Sequence, residues 1–287
     1  MKLIGIEEHF LTPEVRALWE EFGLERCDPS VAVHSGAVER RLLDFGRERL
    51  QLMDETGLDM QVLSLTTPAL HQANRDSVDL SRRINDGVAE VLARHPDRFE
   101  TLATLPIAHP DAAVREFERC VKQLGFKGTM LCGRVGDANL DDPVFANVFE
   151  EAATLGVPIL LHPQSPVEAV RNVYYSGFNA KVDAAFATYG LGWHYETGIQ
   201  FIRLVLSGLF DRMPTLQIIL GHWGELVLFY AERIAALDHV SGLSKPITSC
   251  LRENLYITSS GLLLPQYLER ALSIVGPERL LFSTDFP

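Results

Sequence analysis

The sequence predicts a (β/α)8 TIM barrel, on three observations. Short apolar runs recur along the whole chain, longer segments with helical spacing separate them, and no G-x-G-x-x-G follows any run. The runs are "LIGI" (3–6), "MQVLSL" (60–65), "ETLATL" (100–105), "KGTMLC" (127–132), "VPILL" (157–161), "LQIIL" (216–220), "NLYIT" (254–258) and "RLLFS" (279–283). Each is mostly apolar throughout, the pattern of a strand buried on both faces of a parallel sheet. A doubly wound open sheet is the alternative; the strand count and the missing glycine fingerprint weaken it.

The helices follow from start and stop signals. Residues 44–57 have near-helical spacing and stop at Gly57. Residues 76–99 open on Asp76 as an N-cap, and their helix should end before Pro96. Residues 109–125 carry an early Asp and a terminal Gly, and 143–156 a leading Pro and a closing Gly. Helices are also expected over 196–214, 224–240 and 265–276. No composition shift or low-complexity linker divides the chain, so residues 1–287 read as one domain. The last strand runs into "FSTDFP" with no eighth helix after it. The expectation is therefore a barrel lacking its last helix, a C-terminally truncated copy of a longer protein.

Net charge is −12, from 26 basic and 38 acidic residues, with no basic run. Such a surface repels phosphate backbones and anionic lipid, which argues against nucleic acid and membrane partners. It leaves room for an anionic small substrate, because a metal or an arginine can reverse the field inside one pocket. Cysteines 27, 120, 132 and 250 form no C-x-x-C pair. Scattered thiols in a chain of this size point to a reducing compartment. No signal peptide is visible, and the longest apolar runs, such as "LVLFYA" (226–231), are far below a membrane span. The expectation is a soluble cytoplasmic protein.

A parallel barrel does its chemistry at the C-terminal ends of its strands. Strand one ends in Glu7, Glu8 and His9, strand five in His162, strand six in His222 with Glu225 three residues on, and strand eight in Asp285. Period two puts Glu7 and His9 on one side and Glu8 on the other. Histidines and carboxylates at one rim are the chemistry of a divalent metal site. A lone histidine at a strand end is more often a satisfied structural one; the coincidence of four strand ends on one face favours the metal. His95, His34, His109 and His239 read as solvated loop or helix-end residues, whereas His71 and His194 could approach the mouth. Arg233 is by default a surface arginine; as an anchor it would offer a planar fork to a carboxylate or phenolate.

"GIEEHF", "RRINDGVAEVLARHPDRF", "LPIAHPDAAVREFERCVKQLGFKG", "LLHP", "ETGIQFIRLVLSGLFDRMPTLQIILGHWGE" and "LLFSTDFP" resemble the amidohydrolase-related metal-dependent decarboxylases. Within that group the chain is most similar to the 2,6-dihydroxybenzoate (γ-resorcylate), 2,3-dihydroxybenzoate and 5-carboxyvanillate decarboxylases. The resemblance implies a metal-bearing barrel with Glu7, His9, His162 and Asp285 as ligands. It implies His222 as a proton-handling partner with Glu225 beside it, Arg233 as a substrate contact and Phe22 as an aromatic at the pocket mouth. E-x-H at strand one is similar to the aromatic-acid decarboxylases, whereas many C–N hydrolases of the group carry H-x-H there. Two oxygen ligands favour Mn2+ or Mg2+, while the Irving–Williams order favours Zn2+; the resemblance puts Mn2+ first and Zn2+ second.

The expected activity is a carbon–carbon lyase: non-oxidative decarboxylation of an ortho-hydroxybenzoate, with CO2 released after protonation of the ring. The alternatives are hydrolysis of a lactone or amide on the same site, and an inactive truncated metal-binding barrel. A homo-oligomer, dimer or tetramer, is expected from the related barrels.

Overall fold

The computed structural model describes residues 2–71 and 77–287, and its eight strands follow the sequence pattern in order. They are β1 (Ile4–Phe10), β2 (Met60–Leu65), β3 (Phe99–Thr101), β4 (Thr129–Cys132), β5 (Ile159–His162), β6 (Ile218–Leu220), β7 (Leu255–Thr258) and β8 (Leu280–Leu281). Every neighbouring pair from β1 to β3 and from β4 to β8 is parallel. Two seams close the circle. Ala103 bridges Thr129, with the Ala103 amide donating to the Gly128 carbonyl at 2.8 Å. On the other side Ile6 N donates to Phe282 O at 3.0 Å and His9 N to Phe286 O at 2.9 Å. The fold is a TIM barrel.

Alternation sorts the strand residues. Leu131, Ile159, Leu161, Ile218, Leu220, Leu255 and Ile257 pack in one apolar cluster with the helix residues Phe117, Val148, Phe149, Phe201 and Leu204. The alternate residues Met130, Cys132, Leu160 and Ile219 fall in a second cluster. His162 shares the parity of Leu160, so it caps the interior column of its strand.

Most helices stand where the spacing puts them: Arg47–Thr56, Ser77–Arg94, Pro110–Lys122, Ala146–Leu155, Gly192–Leu206 and Pro265–Val275. Gly57 and Gly156 end two of them in the left-handed conformation. The helix before Pro96 stops at Arg94 as expected, while its proposed cap Asp76 lies outside the described residues. Among the described residues, no helix is long and apolar enough to cross a membrane.

Two segments depart from the expectation. Between β1 and β2 stand four short helices, Pro13–Glu21, Leu24–Cys27, Pro29–Val33 and Ala37–Leu42. Their turn-rich sequence hides the periodicity, but Thr12 caps the first and Asp28 the third. They bury Trp19, whose Nε1 donates to Ala69 O at 3.0 Å. His34 is buried too rather than solvated, stacked on Trp19 with Nε2 2.7 Å from Thr67 O. The second departure follows β6. A helix over 224–240 is expected, yet His222, Trp223, Gly224, Glu225 and Leu226 all have positive φ, and helix resumes only at Ala231–Ala235. Tertiary contacts override propensity here: Trp223 N donates to Thr258 O at 3.0 Å and its Nε1 to Leu262 O at 2.8 Å.

Candidate metal centre and active site

Strands β1 and β5 and the segment after β8 bring four ligand-bearing side chains to one point. Ligand atoms of Glu7, His9, His162 and Asp285 all lie within 4.8 Å of one another. Glu7, His9 and His162 are buried, and Asp285 is partly open at the rim. The His9 and His162 rings meet edge-on, with centroids 4.5 Å apart.

The remaining atoms of these residues are held from behind. Glu7 Oε2 accepts from Thr258 Oγ1 and Ser260 Oγ, both at 2.7 Å. His9 Nδ1 is 3.0 Å from Ser64 Oγ, and His162 Nδ1 is 3.0 Å from the Pro163 carbonyl. Both imidazoles therefore keep Nε2 for the common point, the arrangement typical of metal-ligating histidines. Glu7 Oε1 and His9 Nε2 are buried without a hydrogen-bond partner, although His9 Nε2 approaches Asp285 Oδ1 to 3.3 Å. Buried polar atoms without partners are rare, and a cation at this point would satisfy both. The donor set of two carboxylates and two imidazoles fits a divalent ion.

Glu8 points away from the cluster, as period two requires, and has a task of its own. Its carboxylate accepts from Thr284 N at 2.9 Å, Thr284 Oγ1 at 2.5 Å and Gln61 Nε2 at 3.2 Å. Ser283 Oγ donates to the Glu7 carbonyl at 3.1 Å. These bonds fasten the segment that carries Asp285 to the strand that carries Glu7 and His9.

A second constellation adjoins the first. His222 Nε2 is 3.2 Å from Asp285 Oδ2, and His222 Nδ1 is 2.6 Å from Glu225 Oε1. Both partners are carboxylate acceptors, so the doubly protonated ring satisfies the pair.

The charges of the protein itself set the protonation states. Burial opposes charge on His222, but Glu225, Glu7 and Asp285 outweigh it and raise its pKa well above the usual histidine range. Burial would raise Asp285, yet the adjacent His222, with His9, holds its carboxyl well below the usual range. Burial also opposes charge on Glu225, and His222 and His194 lower it nonetheless. His162 is pushed well below its ordinary value by burial and by His9, leaving a neutral imidazole fit to be a ligand. Burial, with Asp285, raises Glu7.

Not every expected residue joins the cluster. Arg233 is exposed on the Ala231–Ala235 helix; it lines a cavity of about 320 Å3 with Tyr195, Tyr230 and Glu225. Among the described residues, no hydrogen bond or ion pair links it to the four converging side chains. Phe22 is 38% exposed at the C-terminal end of the Pro13–Glu21 helix. His71 is structural: its Nδ1 is 3.2 Å from Arg134 O, and its Nε2 accepts from Cys132 N at 3.2 Å. The holding residues Ser64, Thr258 and Ser260 escape a reading confined to histidines and strand-end carboxylates. Their signal is a hydroxyl within the apolar run "MQVLSL" and the same-parity pair 258 and 260 in "ITSSG".

Known proteins share this chain's sequence and fold. The family model described as Amidohydrolase matches residues 33–287. The γ-resorcylate decarboxylase of Polaromonas sp. is 36% identical over 99% of this chain and 87% of its own length. The structure of a dihydroxybenzoic acid decarboxylase from Polaromonas sp. JS666, with bound manganese and the inhibitor 2-nitroresorcinol, covers 100% of this chain and 87% of its own, at 32% identity and TM-score 0.86. That of 5-carboxyvanillate decarboxylase from Novosphingobium aromaticivorans, complexed with manganese and 4-hydroxy-3-methoxy-5-nitrobenzoic acid, covers 100% and 86%, at 25% identity and TM-score 0.92. A barrel closed around this cluster, matched by the family model over most of its length, belongs to the amidohydrolase family.

Proposed function

We propose that the chain is a metal-dependent, non-oxidative decarboxylase of ortho-hydroxylated aromatic carboxylic acids, with Mn2+ as the favoured ion and Zn2+ second. The observation that carries the reading is the convergence of Glu7, His9, His162 and Asp285 beside a His222 that faces Asp285. Relatives that bind manganese and hydroxylated aromatic ligands support it.

Glu7, His9, His162 and Asp285 would hold the ion, which would supply Lewis acidity and so favour the phenolate form of the substrate. Electron density from the phenolate reaches the ring carbon bearing the carboxylate. Asp285 is the group at hand to protonate that carbon. Because Asp285 is held ionised, its proton comes from His222 Nε2, 3.2 Å away. Glu225 holds the opposite nitrogen of that ring and stabilises its charge. A C–H bond forms, the bond to the carboxylate breaks, and its electron pair restores the aromatic ring as CO2 leaves.

Arg233 and Phe22 enter this reading as substrate contacts at the pocket mouth. A homo-oligomer belongs to it as well, for which the exposed apolar side chains Ile199, Phe229 and Tyr230 speak. Four free cysteines support a cytoplasmic setting.

The test is a panel of substrates offered to the Mn2+-loaded protein: 2,6- and 2,3-dihydroxybenzoate, 5-carboxyvanillate, and lactones. The reading predicts CO2 and the matching phenol. Lactone hydrolysis without CO2 would replace it with the hydrolase alternative.

A further inference from the structure

The Gly192–Leu206 helix contributes nothing to the four-residue cluster, yet it grips the turn that carries His222. His194 Nδ1 lies 2.7 Å from Glu225 Oε2, while Glu225 Oε1 lies 2.6 Å from His222 Nδ1. One buried carboxylate is thus shared between two imidazoles, one oxygen to each. The far side of the His194 ring is fixed too, with Nε2 3.2 Å from Tyr189 O. The two rings meet at a centroid distance of 4.8 Å.

The same helix also holds the main chain of Glu225. A Cβ on Gly198 would stand 2.4 Å from the Glu225 carbonyl oxygen, so only glycine allows this approach. Positions i and i+4 share a helix face, and His194 and Gly198 use that face to seize side chain and backbone of one residue. The gripped turn needs holding. Five successive residues, His222 to Leu226, have positive φ, and four of them are not glycine. Each such residue is disfavoured and persists only where its surroundings over-determine it.

We propose that His194 is a positioning residue: by binding Glu225 Oε2 it fixes that carboxylate and, through Oε1, aims His222 Nε2 at Asp285. This rests on the reading of His222 and Asp285 as the proton-handling pair. If His194 only filled space, its bulk would matter and its Nδ1–H would not.

His194→Phe and His194→Asn separate the two cases. Phe keeps the ring without a donor; Asn places an amide nitrogen where Nδ1 stands. We expect His194→Phe to lower kcat about ten- to hundredfold with KM and metal content unchanged, and His194→Asn to recover most of the loss. A His194→Phe enzyme at the wild-type rate, or an Asn variant as slow as the Phe variant, overturns the proposal. A second readout needs no turnover: the imidazole N–H resonances of the metal-free protein by 15N-edited NMR. The hydrogen-bonded His222 Nδ1–H signal should persist in the Asn variant and be lost in the Phe variant; its survival in the Phe variant overturns the proposal. Should the wild-type protein release no CO2 from any hydroxybenzoate, the decarboxylase reading fails while the NMR comparison still decides the positioning role.

Discussion

His222 Nε2 stands 3.2 Å from Asp285 Oδ2 across 63 positions of sequence, and both residues have positive φ, 47° and 57°. Non-glycine residues in that region cost energy and gather where a site over-determines its own geometry. Two of them face each other at the mouth of a barrel, one following β6 and the other β8. This strain accords with the proton-handling role proposed for the pair.

Replacing His222 by Asn removes the nitrogen that faces Asp285 while leaving all four proposed ligands. Turnover should fall by about 10²- to 10⁴-fold, the usual worth of a positioned acid–base group, with one ion per chain retained. Steady-state kinetics together with elemental analysis of the same sample checks both halves.

Gly221 abuts the carboxylate of Glu7, a proposed ligand: a Cβ there would lie 2.5 Å from Glu7 Oε1. Gly221→Ala should therefore push Glu7 out of place and weaken divalent-ion binding about ten- to hundredfold. Isothermal titration with Mn2+ reads this directly.

Glu8 is predicted to act on stability as well as on the site. Its replacement by Ala leaves buried Gln61 Nε2 without its acceptor and takes a counter-charge from the buried Arg49 guanidinium. Leaving such groups unpaired costs roughly 1–3 kcal/mol each. Urea unfolding should show that loss, and kcat should fall as the Asp285 segment loosens.

His71 makes folding sensitive to acid. It donates from Nδ1 and accepts at Nε2, so the neutral ring satisfies both bonds. Burial pushes its pKa down to about 4 from an ordinary 6.5. Between those values the unfolded chain binds the proton and the folded one does not. Stability is therefore full above pH 6.5, falls as pH drops toward 4, and levels off below. The total from this ring is about 3 kcal/mol. Unfolding curves at pH 7 and pH 5 with chelator present should show the decline, and His71→Gln should flatten it.

Much of this was legible from the residues. Strands buried on both faces leave continuous apolar runs, so all eight appear near their expected places. Barrel topology then gathers strand ends, and "GIEEHF", "LLHP", "GHWGE" and "STDFP" meet at one rim. What stayed hidden depends on tertiary contact. "LVLFYA" has the composition of a helix, but Glu225 and Leu226 are drawn into a left-handed turn that aims His222. The role of His194 depends on a neighbour 31 positions away. The hydroxyls of Ser64, Thr258 and Ser260 matter only because the proposed ligands Glu7 and His9 stand in front of them.

The central claim is that Glu7, His9, His162 and Asp285 hold one catalytic cation. Metal content by elemental analysis, compared between the wild-type protein and His162→Ala after identical loading with Mn2+ and desalting, tests it most directly. The account predicts one ion per chain in the first and almost none in the second. An ion retained in His162→Ala, or none in the wild type, would contradict it.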